Sequence, residues 1–97
     1  MRYTVILSPE YGGYSVFCPA MPGAVSQGDS RDEALWMIAD AMEGWLEASK
    51  STGAPPLVET PALIAAKIQA VLGYRLAEEL DFVIETAVVS VRVLVPA

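Results

Sequence analysis

Apolar and polar residues alternate along the first part of the chain, which is the pattern of half-buried β-strands. The alternation runs through Arg2–Ser8 and returns in Tyr14–Cys18. Pro9–Gly13 lies between them and ends in two glycines, so the two strands are predicted to form a hairpin. Ala24–Gln27 is long enough for a third short strand. We therefore expect a three-stranded antiparallel meander, whose core-facing residues are Tyr3, Val5, Leu7, Tyr14, Val16 and Cys18.

A helix is predicted to begin directly after the third strand and to continue to about Ser49. Ser30 and Glu33 have the spacing of a capping box, in which the Ser30 hydroxyl accepts from the Glu33 amide and the Glu33 carboxylate accepts from the Ser30 amide. An apolar stripe follows at spacings of three and four: Leu35, Ile38, Met42, Trp45 and Leu46. The opposite side is acidic and forms what we call the acidic ridge: Asp32, Asp40, Glu43 and Glu47.

A second helix is predicted over Pro61–Leu72, with Thr60 as its N-cap and Pro61 at its first position. Gly73 is expected to end or kink it, and Tyr74–Leu80 to add a short helical piece. This helix is apolar on nearly every side, so we expect it to be buried. We expect this helix to pack against a second copy of the chain.

Thr86–Val95 is predicted to form the last strand, because it is rich in β-branched residues. One face of it is apolar (Ala87, Val89, Val91, Val93 and Val95), whereas the other is dominated by Thr86, Ser90 and Arg92. One face of the sheet is therefore expected to pack on the first helix, and the other to be partly open to solvent.

Composition narrows the classes of function. The 97 residues suit one domain, and 54% of them are hydrophobic, so we expect some apolar surface at a subunit interface and a homo-oligomer, dimer or tetramer. The net charge of −6 argues against a surface that neutralises phosphates. It suits a basic protein partner. The alternative is that the acidity only keeps an apolar domain in solution.

Catalytic residues are hard to find in this sequence. Histidine is absent, and Cys18 is the single cysteine, on the side of its strand where cysteine acts as a small core residue. A two-metal nuclease needs an acid on its first strand, and Arg2–Ser8 has none. We expect no catalytic residue, metal or cofactor. No leader or segment of bilayer length is evident, so we expect a cytoplasmic location.

Several turn and cap residues together resemble the signature of the HicB family of bacterial antitoxins. The pattern is a glycine turn, a Pro-x-apolar-Pro-Gly corner, a Gly-acid-Ser step, and a helix opened by Glu-Ala. The matching positions are Gly13, Tyr14, Pro19, Pro22, Gly23, Gly28, Asp29, Ser30, Glu33 and Ala34. The resemblance covers residues 1 to about 50 well and the end of the chain more weakly.

The resemblance implies an α+β domain of β-β-β-α-β order, similar to a truncated ribonuclease-H core. It also implies an antitoxin of a type II toxin–antitoxin system, which binds and masks a small basic RNA-cleaving toxin of the HicA type. Residues 58–84 depart from the pattern as a helical insertion between core segments 1–57 and 85–97. The chain ends without an evident C-terminal DNA-binding segment, so we expect no direct binding of DNA or RNA.

The candidate partner surface comprises Asp32, Trp36, Asp40, Glu43 and Glu47. Its carboxylates could pair with a basic toxin, and tryptophan is favoured at interface hot spots. Two alternatives stay open: the acidic ridge is only a solvated helix face, and Trp36 packs beneath the inserted helix. At the level of the whole protein, the alternative is an orphan homo-oligomeric regulatory or ligand-binding domain with no toxin partner.

Overall fold

The computed structural model describes residues 1–81 and 83–92. Its elements, in chain order, are β1 (Arg2–Glu10), β2 (Gly13–Phe17), β3 (Val25–Gly28), α1 (Arg31–Thr52), α2 (Pro61–Ala77) and β4 (Glu85–Ser90). The strands form one sheet in the order β3-β2-β1-β4, and neighbouring strands are antiparallel. The predicted α+β class and β-β-β-α-β order are confirmed, with α2 inserted before β4.

Strand β1 is the centre of the sheet because it pairs along both of its edges. Its second half pairs with β2 from Ile6 opposite Phe17 to Glu10 opposite Gly13, which confirms the predicted hairpin. Its first half pairs with β4. The last strand is shorter than predicted within the described residues, since it ends at Ser90, and residues 93–95 of the predicted strand lie outside those residues.

The main hydrophobic core lies between the sheet and α1. The strand residues predicted to face inward do so, and Val5 and Leu7 are fully buried. Helix α1 contributes Ala34, Ile38 and Met42, which have no exposed surface. Burial of a valine, leucine, isoleucine or methionine side chain stabilises the fold by roughly 1.5–3 kcal/mol, so this layer supplies the main driving force for folding.

Helix α2 lies over the middle of the second face of the sheet, whose outer strands stay exposed at Val25 and Val88, so the expectation of a partly open face is confirmed. Ile6 and Ser8 belong to this face by the strand alternation, yet both are buried. Clefts of about 280 and 480 Å³, both open to solvent, lie between the sheet and the helix, so the helix contacts the sheet over part of its length only. The predicted break at Gly73 is wrong, because α2 continues through it to Ala77.

Two polar clamps hold α2 on the sheet. Just before the helix, Glu59 accepts hydrogen bonds from the Thr4 amide (2.6 Å) and the Thr4 hydroxyl (3.0 Å). At the other end, the Arg75 guanidinium donates to the Pro9 carbonyl at 3.0 Å and to a carboxylate oxygen of Asp81 at 2.6 Å. The guanidinium hydrogen bond holds the pKa of Asp81 below its ordinary value. Stability from this pair is therefore present above the unfolded-state pKa of Asp81 and is lost as the pH falls through the folded-state pKa.

The burial of α2 is the reverse of what its composition predicts. Arg75 is the buried residue of this helix, with 4% of its surface exposed, whereas Leu63, Ile64, Ile68, Val71 and Leu72 are only half-buried. The expectation that this apolar helix is buried is wrong within the single chain. The sheet lies on one side of α2, and no other described element lies on the opposite side, so that side of the helix is left exposed.

Replacing Arg75 with methionine should loosen α2 selectively. The change keeps the apolar stem but leaves the Pro9 carbonyl without this donor, and an unsatisfied buried group costs about 1–3 kcal/mol. Amide hydrogen exchange should therefore accelerate in α2 more than in β1. The control is Lys67→Met, because Lys67 is exposed on the same helix. Equal exchange in the two variants would refute the clamp.

Candidate partner-binding surface

The first turn of α1 is fixed by its cap. The Ser30 hydroxyl accepts a hydrogen bond from the Glu33 amide at 3.1 Å, as predicted. The second half of the capping box is wrong: the Glu33 carboxylate accepts from the amide of Asp29 at 3.2 Å, and not from that of Ser30. The free Glu33 amide of the first turn is thereby satisfied, and the Glu33 carboxylate ties the residue before the cap to the helix, which positions the acidic face of α1 relative to the sheet.

Glycines make the joint between the hairpin, β3 and α1. A Cβ atom at Gly28 would overlap the Ala34 amide nitrogen and lie 2.9 Å from the Ala34 Cα. A Cβ atom at Gly13 would overlap the Gly28 carbonyl oxygen. Close packing of backbone on backbone thus explains the residue types at three motif positions, Gly13, Gly28 and Ala34. Their role in the molecule is structural.

The Pro19–Gly23 corner carries the chain from β2 to β3 and is part of the core. The Cys18 amide donates to the Ala24 carbonyl at 3.1 Å, which closes the loop, and Gly23 takes a left-handed conformation with φ of 93°. Inside the loop, Ala20 and Met21 have no exposed surface. The sequence pattern identified the corner as a strand breaker and missed this burial, which depends on α1 lying over it.

The acidic ridge forms one continuous exposed face of α1. All four carboxylate residues are exposed, and 70% of the Trp36 surface lies open between them. The alternative that Trp36 packs beneath the inserted helix is wrong, because α2 lies on the opposite face of the sheet. Lys50 contacts Glu47 at 3.5 Å, so the C-terminal end of the ridge is partly neutralised. The structure therefore brings together all five predicted partner-surface residues.

A cleft of about 320 Å³ lies beside the N-terminal end of the acidic ridge. Its walls come from the β1–β2 turn, the end of β3 and the first turns of α1, and its acidic residues are Glu10, Asp29 and Glu33. Tyr11 and Tyr14 also line it. No local sequence pattern indicates this cleft, because its walls come from residues 10–14 and 27–37, which are apart in the chain. It extends the acidic surface beyond the helix.

Cys18 is buried and unreactive by its surroundings. Burial raises the pKa of its thiol, and the nearby Glu59 carboxylate raises it further, against the lowering effect of backbone hydrogen bonds from Ala20 and Met21. In the described part of the chain, no group of three or more histidine, cysteine or acidic side chains is arranged to hold a metal ion. Neither described helix has the length and hydropathy of a membrane-spanning segment.

Comparison with known proteins gives a consistent result. A family profile described as HicB_like antitoxin of bacterial toxin-antitoxin system matches residues 3–91. Antitoxin HicB 1 of Photorhabdus laumondii is 40% identical over 78 residues, which cover 70% of this chain and 50% of that protein. The chain thus spans half the length of that relative.

Two solved structures share the fold. The N-terminal domain of the Burkholderia pseudomallei antitoxin HicB aligns with a TM-score of 0.65 and 22% identity, covering 96% of this chain and 100% of that one. A chain of the HicA3 and HicB3 toxin–antitoxin complex aligns with a TM-score of 0.63 and 18% identity, covering 95% and 99%. At these identities the likeness establishes the fold, which is the predicted one.

Adding one methyl group at Gly28 should destabilise the protein. Overpacking of this kind costs typically about 1–3 kcal/mol, because Ala34 belongs to a helix that cannot move alone. The matched control is Gly44→Ala: Gly44 lies within α1 with open space around it, and alanine there should stabilise by about 0.5–1 kcal/mol. Urea unfolding of both variants checks the opposite signs. A neutral Gly28→Ala variant would contradict the close contact.

The Cys18 thiol should resist modification in the folded protein. Since a raised pKa leaves less thiolate at a given pH, and burial blocks access, an aromatic disulfide reagent should react at least about a hundredfold more slowly than in denaturant. Release of the coloured thiol at mildly alkaline pH measures both rates. Comparable rates in the two conditions would show that Cys18 is accessible.

Proposed function

This chain belongs to the family of HicB-like antitoxins of bacterial toxin–antitoxin systems, and we propose that it acts as a type II antitoxin. In this proposal it binds a small basic RNA-cleaving toxin of the HicA type and masks the toxin's active site. The proposal is supported by the resemblance of its fold to a chain of a HicA3–HicB3 complex. Family membership alone does not identify the binding surface, which has to come from this chain's own residues.

The observation that carries the proposal is the exposed Trp36 within the acidic ridge. A large aromatic side chain with 70% of its surface in solvent is an unfavourable arrangement for an isolated domain, and it is common at the centre of protein interfaces. Carboxylates surround it on the same helix face, so a partner that covers it must present basic groups. A basic toxin meets both requirements.

The mechanism follows from charge and shape. The net charge of −6 attracts a basic protein at long range and speeds encounter. On contact, carboxylates of the ridge pair with lysine and arginine side chains, which a nuclease also needs for its own RNA. Trp36 is buried in the interface and excludes water around these pairs. The toxin surface that binds RNA is then occupied by protein.

The proposal assigns no chemical step to this chain. The titratable groups on the acidic ridge are exposed carboxylates. The Cys18 thiol is buried in the core between α1 and the sheet. We propose that the chain is not an enzyme, acts in the cytoplasm, and does not bind DNA or RNA directly. We further propose that it self-associates as a dimer or tetramer, in keeping with its exposed apolar residues.

Reversing the charge of Asp40 and Glu43 together to lysine should weaken toxin binding by about tenfold or more, which corresponds to about 1.4 kcal/mol. The dependence of affinity on salt should also become weaker, because fewer ion pairs form. Isothermal titration calorimetry of the variant with any small basic protein encoded beside this chain's gene measures both effects.

The matched control is the double reversal of Glu78 and Glu79 to lysine. It makes the same change in net charge at exposed positions after α2, away from the ridge. If both variants lose affinity equally, the effect belongs to net charge and the ridge is not the contact surface. If no adjacent basic partner binds at all, the orphan regulatory domain becomes the better account.

A further inference from the structure

Helix α2 and the second face of the sheet border a cleft that the proposed toxin contact leaves unused. The cleft has a volume of about 280 Å³ and opens to solvent. Its floor comes from the sheet, at Ser8, Ser15 and Phe17. Its wall is one side of the helix, with residues at spacings of three and four: Lys67, Ala70, Val71 and Tyr74. We call this space the α2 cleft.

The floor of the α2 cleft carries a hydroxyl group without a partner. Ser8 lies in the central strand β1, and only 8% of its surface is exposed. Its hydroxyl makes no hydrogen bond to any other residue that the structure describes. Ser15 lies opposite it in β2, but the Ser15 hydroxyl donates to a carboxylate oxygen of Glu10 at 2.9 Å. Because hydroxyls of nearly buried residues are ordinarily hydrogen-bonded, the Ser8 group is available to a polar atom of a molecule in the cleft.

Lys67 places an unpaired cation beside the α2 cleft. Its ammonium group is exposed and forms neither an ion pair nor a hydrogen bond with the described residues. The chain has twelve acidic residues against six basic ones, and yet none of the described carboxylates neutralises this lysine. Lys67 and Phe17 also border a second space of about 230 Å³, beside the Pro19–Gly23 corner. A negative group bound by Lys67 would therefore lie where two mainly apolar spaces meet.

The opposite end of the α2 cleft is unfavourable for a negative group. Arg75 borders that end, but its guanidinium already donates to the Pro9 carbonyl and to the Asp81 carboxylate. The Glu10 carboxylate borders the cleft next to Pro9, and it repels another negative charge. Lys67 lies eight residues before Arg75 in α2, which is about 12 Å along the helix axis. A ligand with one negative group should therefore place that group at Lys67 and its apolar body between the two ends.

We propose that the α2 cleft binds a small aromatic carboxylate. The carboxylate lies between the Lys67 ammonium and the Ser8 hydroxyl, and both groups donate hydrogen bonds to it. The ring packs on Phe17 and is enclosed by Val71 from the helix side. The inference is independent of the proposed antitoxin function, because the acidic ridge belongs to α1, which covers the other face of the sheet.

Size and charge select this class of ligand. A volume of about 280 Å³ is at the lower limit of ordinary ligand sites, so the cleft suits a molecule of about ten to twelve non-hydrogen atoms. A nucleotide is larger and carries several negative charges, whereas the described residues around the cleft offer one unpaired cation. A cationic ligand would meet Lys67 as a like charge. Since few ligand atoms make contact, we expect a dissociation constant of about 0.1–1 mM.

The test compares three probes that share one apolar body: 3-phenylpropionate, 3-phenylpropanol and 3-phenylpropylamine. Titration of the full chain, followed by nitrogen–proton correlation NMR, measures the affinity and locates the bound probe. The acid should shift the amide signals of Ser8, Phe17 and Val71, with a dissociation constant of about 1 mM or tighter. The alcohol should bind about threefold to tenfold more weakly, because it cannot form the ion pair. An amine that binds as tightly as the acid would assign the cleft to Glu10 and overturn the proposal.

Two variants separate the polar contacts from the apolar ones. Lys67→Gln should weaken binding of the acid to the level of the alcohol and leave the alcohol unchanged, because Lys67 is exposed and the change removes only the charge. Ser8→Ala should weaken binding of the acid by about twofold or more, since it removes one hydrogen bond. Lys50→Gln is the matched control: it makes the same change in charge on α1, away from the cleft, and should leave both affinities unchanged.

Three further results would overturn the proposal. One is the absence of any amide shift around the cleft at about ten times the expected dissociation constant. Another is a set of shifts centred elsewhere on the protein, which would place the binding of the acid at a different surface. The third is a Lys67→Gln variant that still binds the acid more tightly than the alcohol by the wild-type ratio.

Discussion

The close contact between Gly28 and Ala34 is the constraint on which the architecture depends. It sets how near the end of β3 comes to the first turn of α1, and so fixes the angle at which α1 crosses the sheet. The fully buried residues of α1, Ile38 and Met42, reach the strands only from that position. A side chain at Gly28 would push the helix away at one end and open the core along its length.

A second consequence of this joint is the direction of the acidic ridge. Because α1 turns its apolar side to the sheet, the carboxylates and Trp36 are forced to the outside on one face. The turn of the hairpin and the end of β3 add further carboxylates at the helix N-terminus, so acidic surface continues from the helix onto the sheet edge. The position of α1 therefore determines both the core, through the apolar side of the helix, and the proposed binding surface, through its acidic side.

Helix α2 is held on the sheet more by polar contacts than by apolar burial. It is attached mainly through Glu59 and Arg75, whereas its apolar side chains are only half-buried. A helix held near its two ends can present its outward side to another molecule without disturbing the main core. The two helices thus differ in what they present to solvent: the outward face of α1 is acidic, whereas Ala62, Ala66, Gln69, Gly73 and Leu76 on the solvent side of α2 carry no charge.

Local patterns predicted most of the fold. The hairpin, α1 and its apolar stripe depend on alternation, helical spacing and caps, which are read from neighbouring residues, and the motif positions Gly13 and Gly28 marked the places where backbones touch. The acidic ridge was also evident, because helical spacing by itself puts Asp32, Trp36 and Asp40 on one face. The burial of Met21, the acidic cleft beside Glu33, the location of α2 on the second face and the burial of Arg75 were decided only by the tertiary structure. Each of these joins segments far apart in the chain, and sequence spacing carries no information on which distant surface a helix will cover.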